Sequence, residues 1–249
     1  MPSLAWLLLV LAPLLILERW IHRHLQGVIL LLVRSPEVAL IVYSLLFLPG
    51  VIVHEGSHWL TARLLGVQTG GFSVWPSRQK DGTLRLGYVE TVKVDFLRES
   101  LIGAAPLMAG VGLISFAAYN RLGAGPVGQA MASGDLVGML DGLRAISQMP
   151  DFPLWFYLIF TVANAMMPSH SDRRAWPWVV AAVAVPVGIL TYAGLGNVLM
   201  QTFAAPVDAV LRTLAVAFSI TVTVNLLIAP AVFLIEAAIN RMTGLRVEY

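Results

Sequence analysis

His54-Glu55-Gly56-Ser57-His58 is the stretch whose residue types and spacing point most directly to chemistry. On a helix, residues i and i+4 lie on one face, about 40° apart. Both imidazoles can therefore reach one metal ion. Glu55 lies beside His54 and can take a proton from a water polarised at that ion. Two nitrogen ligands plus a neighbouring carboxylate form the pattern of metal-assisted hydrolysis, with zinc as the expected ion.

The setting sharpens this reading. The five residues sit inside an apolar run from about Val38 to Leu65, long enough to cross a bilayer. Ionisable residues inside a membrane span are costly, and such residues are functional by default. The competing reading is a polar helix face packed against other spans, with no metal. Pro49-Gly50 lies one turn before His54 and is expected to kink or loosen the helix there. That would open room for water beside the ligands, or it would serve packing alone.

The whole chain agrees with a membrane setting. Of its 249 residues, 58% are hydrophobic and only 12% charged, against about 25% charged in a soluble domain. Mean hydropathy is +0.79. We therefore expect an all-α polytopic membrane protein of about six transmembrane helices, with a small β-hairpin between spans two and three. Cysteine is absent, which removes disulfides and thiolate ligands. Net charge is only +2 and the basic residues are scattered, so no nucleic-acid partner is implied.

Three regions are expected: an N-terminal span with an interfacial segment (1–35), a catalytic core (36–174, with the hairpin at 67–99), and two C-terminal spans (175–249). A retained first span, Ser3 to about Trp20, fits better than a cleaved signal peptide, since no basic segment precedes it and no small-residue cleavage site follows. Glu18 to His24 reads as an interfacial turn, and Gln26 to Arg34 as a segment along the membrane surface. His22 and His24, spaced i, i+2, do not share a helix face and read as solvated.

Span two starts after Ser35-Pro36 and ends near Gly66, a residue suited to a helix C-terminus. Asp81-Gly82 is a strong hairpin turn, and Thr83 to Val94 partly alternates. This hairpin either lies at the membrane surface, where its edge can pair with an extended peptide, or is an inert connector. Leu101 to about Tyr119 is span three; its segment Gly103 to Gly110 is rich in small residues that let helices approach closely. Asn120 to Asp151 is too polar to cross and holds a short amphipathic helix near Leu136 to Met149. Span four runs from Phe152 to about Met167, where Pro168 should break it. His170 and Asp172 then fall on irregular backbone at the membrane edge, tolerated only beside protein or a water-filled cavity. Spans five and six are expected at Trp176 to about Met200 and Ala209 to about Ile239. Asn225 and Glu236 read as helix-packing or interface residues.

Basic residues orient the spans. With the hairpin cytoplasmic, ten Lys and Arg lie inside and six outside. This favours a cytoplasmic hairpin and a cytoplasmic C-terminus, with both candidate ligand segments near the cytoplasmic face; the expected setting is a multi-pass protein of a prokaryotic cell membrane. The cluster from Arg19 to Arg34 points mildly the other way.

His-Glu-x-x-His in one span, followed by Asn164…Pro168…Asp172 closing a later span, resembles the site-2 protease family of intramembrane zinc metalloproteases. That family's second motif is Asn-x-x-Pro-x-x-x-x-Asp-Gly. Here Asn164 and Asp172 keep its separation, Pro168 comes one residue late, and Arg173 stands in place of the glycine. The stretch around Pro106 resembles the family's middle core helix, and Val67 to Glu99 its membrane-dipping β-loop. The likeness covers about Pro36 to Arg174.

The resemblance implies one Zn2+ per chain held by His54, His58 and Asp172, with His170 as the rival third ligand. Glu55 would be the general base and then proton donor to the leaving amine. Asn164 would hold the substrate backbone or help polarise the scissile carbonyl. The implied partners are the lipid bilayer and a transmembrane protein substrate, cut in or near its span. The alternative function is a non-catalytic membrane protein that retains a structural metal; a metal carrier is a third, weaker reading, since too few spans carry ionisable residues.

Overall fold

The structure, a computed structural model, describes residues 2–78, 84–85, 87–245 and 247. Among the described residues, four helical segments are long and apolar enough to cross a membrane: Pro2–Val33, Pro36–Leu64, Phe96–Arg121 and Trp176–Thr243.

Helix α1 (Pro2–Val33) is a single 32-residue rod. It does not stop at Trp20, and the expected interfacial turn at Glu18 to His24 is helical throughout. Its polar residues find partners on neighbouring helices, so the chain need not leave the helix to hydrate them. His24 Nδ1 lies 2.6 Å from Glu236 Oε2. Ser3 donates to Asp208 Oδ2 at 3.0 Å. These two contacts join the start of α1 to residue 208 and its last third to residue 236, so α1 runs parallel to the last helix along most of its length.

Helix α2 (Pro36–Leu64) begins as expected. The Ser35 hydroxyl accepts from the Val38 N–H, and Pro36 occupies the first turn, where no donor is lost. At its end Gly66 takes φ 69° and donates its N–H to the Arg63 carbonyl. The following segment forms two antiparallel pairs rather than one continuous hairpin: β1 (Thr69–Ser73) with β4 (Tyr88–Thr91), and inside them β2 (Ser77–Arg78) with β3 (Leu84–Arg85). A register shift between Thr69 and Phe72 interrupts the outer pair. The Asp81-Gly82 turn lies outside the described residues.

Helix α3 (Phe96–Phe116) starts several residues before the expected Leu101, because the Asp95 carboxylate caps it by accepting the Arg98 N–H at 3.1 Å. It ends in a π-helical turn over Ala117–Arg121. Two short helices follow, α4 (Gly125–Ser133) and α5 (Leu136–Ser147). The second is the amphipathic helix read from the sequence; its apolar residues Leu136, Val137 and Leu140 are exposed.

Helix α6 (Phe152–Ala163) has 12 residues, about 18 Å of rise, too short to cross the hydrocarbon core unaided. It stops before Pro168 reaches it, since the residue preceding a proline already disfavours helix. Helix α7 (Trp176–Leu190) leads through a π turn into α8 (Gly196–Thr243). The break expected between Met200 and Ala209 is absent. The chain bends instead at Gly194, whose φ of 85° only glycine adopts readily, while Pro206 is carried inside α8. With 48 residues, α8 rises about 72 Å, more than twice a bilayer core.

The apolar core joins α1, α2, α3, α6 and the second half of α8. Leu14, Ile21, Phe47, Ile114, Ile159 and Phe218 are among its buried side chains. A small residue decides one contact that bears on the site. A Cβ on Gly103 of α3 would overlap the Asp172 carbonyl oxygen, so the small-residue segment lets α3 meet the backbone of the loop after α6.

Candidate metal centre

His54, Glu55 and His58 project from the second half of α2, while Asp172 comes from the loop between α6 and α7. The structure brings His54, His58 and Asp172 together. One ligand atom from each lies within 4.8 Å of the others, and this His-His-Asp group could hold a metal ion. The two Nε2 atoms are 3.2 Å apart. Asp172 Oδ1 lies 3.4 Å from His58 Nε2, and Oδ2 lies 3.8 Å from His54 Nε2. Tetrahedral ligands about 2.0–2.1 Å from a zinc ion stand about 3.3 Å from each other. The Nε2–Nε2 separation is close to that value, and each Asp172 oxygen lies 3.4–3.8 Å from one of the two nitrogens.

Hydrogen bonding fixes the tautomers. His54 Nδ1 donates to the Ala165 carbonyl at 2.6 Å, and His58 Nδ1 donates to the Ile102 carbonyl at 2.7 Å. A carbonyl only accepts, so each Nδ1 carries the hydrogen. In the neutral rings both Nε2 atoms are then bare lone pairs facing one another. Two acceptors at 3.2 Å repel unless a cation or a proton lies between them, and the Asp172 carboxylate on the same spot favours a cation. Outer carbonyls that orient ligand imidazoles in this way are usual at metal centres. Asp172 is held in turn by the Ser169 N–H, which donates to Oδ2 at 2.7 Å. All three ligand side chains are mostly buried, with 10–16% of their surface exposed.

The reason these groups meet lies in the end of α6. A helix terminus leaves carbonyls without intrahelical donors. After Ala163 the chain turns, and two successive carbonyls point away from it. The Asn164 carbonyl takes the Nε2–H of His22 from α1 at 3.0 Å. The Ala165 carbonyl takes the Nδ1–H of His54 from α2. His22 Nδ1 in turn meets the Tyr43 hydroxyl. The sequence reading of His22 and His24 as solvated is thus overturned for both. His22 sits against Tyr43, Phe47 and the α6 terminus. His24 stacks on Trp20, with ring centroids 4.2 Å apart, and pairs with Glu236.

Asn164 is buried, and its side chain is fully engaged. Nδ2 donates to the Phe160 carbonyl and to Asn225 Oδ1, both at 2.8 Å. Asn225 Nδ2 donates back to Asn164 Oδ1 at 3.1 Å. Both amide hydrogens of Asn164 are therefore committed within the protein. Asn225 is a packing residue, as expected, yet its partner lines the site.

A cavity of about 890 Å3 opens beside the three ligands. Glu55, His22 and Asn164 line it, as do Val89 and Thr91 of β4 and Gly87 just before that strand. Gly87 is buried against Glu55. A Cβ there would stand 2.8 Å from Glu55 Cγ and 3.0 Å from both the Ser73 carbonyl oxygen and Val51 Cγ1. The sheet thus lies directly on Glu55. His170 is exposed and is not part of the three-residue cluster.

Against protein-family models, curated proteins and solved structures, the chain shows no match.

Proposed function

We propose that the chain is a multi-pass membrane metalloprotease of the site-2 type, hydrolysing a peptide bond in or near a transmembrane segment of a client protein. The observation that carries this reading is the pair of bare Nε2 atoms facing each other beside Asp172, with Glu55 on the same helix and a cavity alongside. Zinc suits the donor set: two imidazoles and a carboxylate leave a fourth position for water or substrate. When bound, such an ion lowers the pKa of water to about 7 and polarises a carbonyl.

The chain's own residues supply the rest. Glu55 accepts the proton of the attacking water and hands it to the leaving amine. The strand β4, whose Val89 and Thr91 line the cavity with Gly87 just before it, holds an extended substrate segment by strand pairing. A helical peptide bond is shielded by its own turn, so the client span must unwind before it can lie there. Asn164 holds the substrate backbone only after its bond to Asn225 opens. The bilayer is the solvent of the long apolar helices, and the excess of basic residues around the strand segment supports a site near the cytoplasmic face.

A second reading is a structural metal site without catalysis. The commitment of both Asn164 amide hydrogens favours it, as does Arg173 in place of the family's glycine. Glu55→Gln separates the two. In the protease reading it abolishes cleavage of transmembrane-segment reporters by detergent-purified protein and leaves metal content intact. Equal cleavage by wild type and Glu55→Gln would refute the role of Glu55, and no cleavage by a zinc-loaded wild type would favour the structural site.

A further inference from the structure

Two helices outside the stretch that resembles a known family reach the metal centre. We propose that His22 of α1 and Asn225 of α8 are positioning residues for the metal: together they clamp the Asn164–Ala165 turn, whose Ala165 carbonyl fixes His54 with Nε2 towards the ion. The proposal rests on the metal-centre reading above and extends it to α1 and α8.

The clamp has two independent arms on one residue. His22 Nε2–H holds the main chain of Asn164 through its carbonyl at 3.0 Å. Asn225 holds the side chain of Asn164 through two amide hydrogen bonds, at 2.8 and 3.1 Å. The next carbonyl along is the one that His54 Nδ1 uses. No regular helix holds that carbonyl in place, because α6 has already ended at Ala163. Its direction is set by what grips Asn164.

The tautomer of His22 is determined by the same logic as that of His54. Its Nε2 must carry the hydrogen because Asn164 offers a carbonyl, so Nδ1 accepts from the Tyr43 hydroxyl. His22 is thereby held from α2, and Asn225 is wholly buried in α8. Buried amide pairs and ring-to-carbonyl bonds in an apolar bundle are retained because breaking either strands a polar group. A packing role alone would be met by any side chains that fill the space. The positioning role requires the N–H of His22 and the amide of Asn225.

The experiment titrates detergent-purified, metal-stripped full-length protein with Co2+ and Zn2+, reading Co2+ absorption for geometry and competition for affinity. His22→Phe keeps ring volume without the N–H; His22→Gln restores an N–H near the Nε2 position. Asn225→Leu removes the second arm. Outer groups that touch a ligand directly are worth about 10–100-fold in metal affinity. One bond further out, we expect His22→Phe and Asn225→Leu each to weaken binding by about three- to tenfold, with a changed Co2+ spectrum. His22→Gln should return to within about twofold of wild type. Thermal unfolding of the metal-free variants identifies any that fail to fold, and the remaining arm then decides. Wild-type affinity and spectrum in a folded His22→Phe or Asn225→Leu would overturn the inference while leaving the metal centre standing. A wild type that binds neither ion would overturn both.

Discussion

Gly103→Ala is the substitution through which packing should reach the ligand set most directly. A Cβ at 103 would overlap the Asp172 carbonyl oxygen and stand 2.9 Å from its carbonyl carbon and 3.2 Å from its Cα. Carbon atoms pack at about 3.5–4.0 Å. The Asp172 backbone must therefore recede by roughly 1 Å, or α3 must move away by as much. Metal–ligand distances tolerate only about 0.2 Å. The Asp172 carboxylate, now 3.4 and 3.8 Å from the two Nε2 atoms, leaves the coordination sphere. We expect metal affinity to fall by at least about tenfold, and the metal-free fold to lose about 1–3 kcal/mol from overpacking. Gly112→Ala is the matched control on the same helix: a Cβ there meets nothing within 4 Å. It should bind metal as wild type does and gain about 0.5–1 kcal/mol from reduced chain entropy. The assay is Zn2+ competition binding alongside thermal unfolding in detergent. Equal affinities for Gly103→Ala and Gly112→Ala would refute the claim that α3 holds Asp172 in the ligand set.

Other consequences follow from the same geometry. Gly87→Val should drive Glu55 aside, since even a Cβ stands only 2.8 Å from its Cγ; we expect cleavage of a reporter to fall by about 100-fold, the scale of a 1 Å misplacement, with metal content unchanged. A chelator should lower the unfolding temperature of wild type, and metal at about 100 times its Kd should restore about 2.7 kcal/mol; neither should move Asp172→Ala. The Arg98 N–H holds the Asp95 carboxyl below its ordinary range, so this cap stabilises α3 above the unfolded value of about 3.9 and is lost as pH falls through the lower, folded value. Asp95→Ala should therefore lower thermal stability at pH 7 and make no difference at a pH below both values.

What the sequence made legible was local. The pairing of His54 with His58 follows from helical spacing, and the turn carrying Asp172 follows from Pro168. The helix start at Ser35 is marked by the proline beside it, whereas the start at Asp95 has only its carboxylate as a signal and is followed by Arg98 and Glu99 before the apolar run. The clamp was not legible. His22 and Asn164 are 142 residues apart, and Asn164 and Asn225 are 61 apart, so no spacing rule joins them. The same cause hid the continuity of α1. Glu18 to His24 reads as an interface because polar groups need partners and water is the nearest one in sequence terms, yet His22 and His24 are served by α2, the α6 terminus and α8. The bend at Gly194 was missed because a lone glycine in an apolar run carries little signal beside Pro206.

If His54, His58 and Asp172 hold one metal ion, the metal content of the purified protein depends on all three. Elemental analysis of detergent-purified wild type, His58→Ala, Asp172→Ala and His170→Ala tests it most directly. The geometry predicts about one zinc per chain in wild type and in His170→Ala, whose side chain lies outside the cluster, and almost none in the other two, since a tetrahedral site with three protein ligands cannot spare one. Wild type free of metal after zinc reconstitution, or an Asp172→Ala protein that keeps its full complement, would contradict the account.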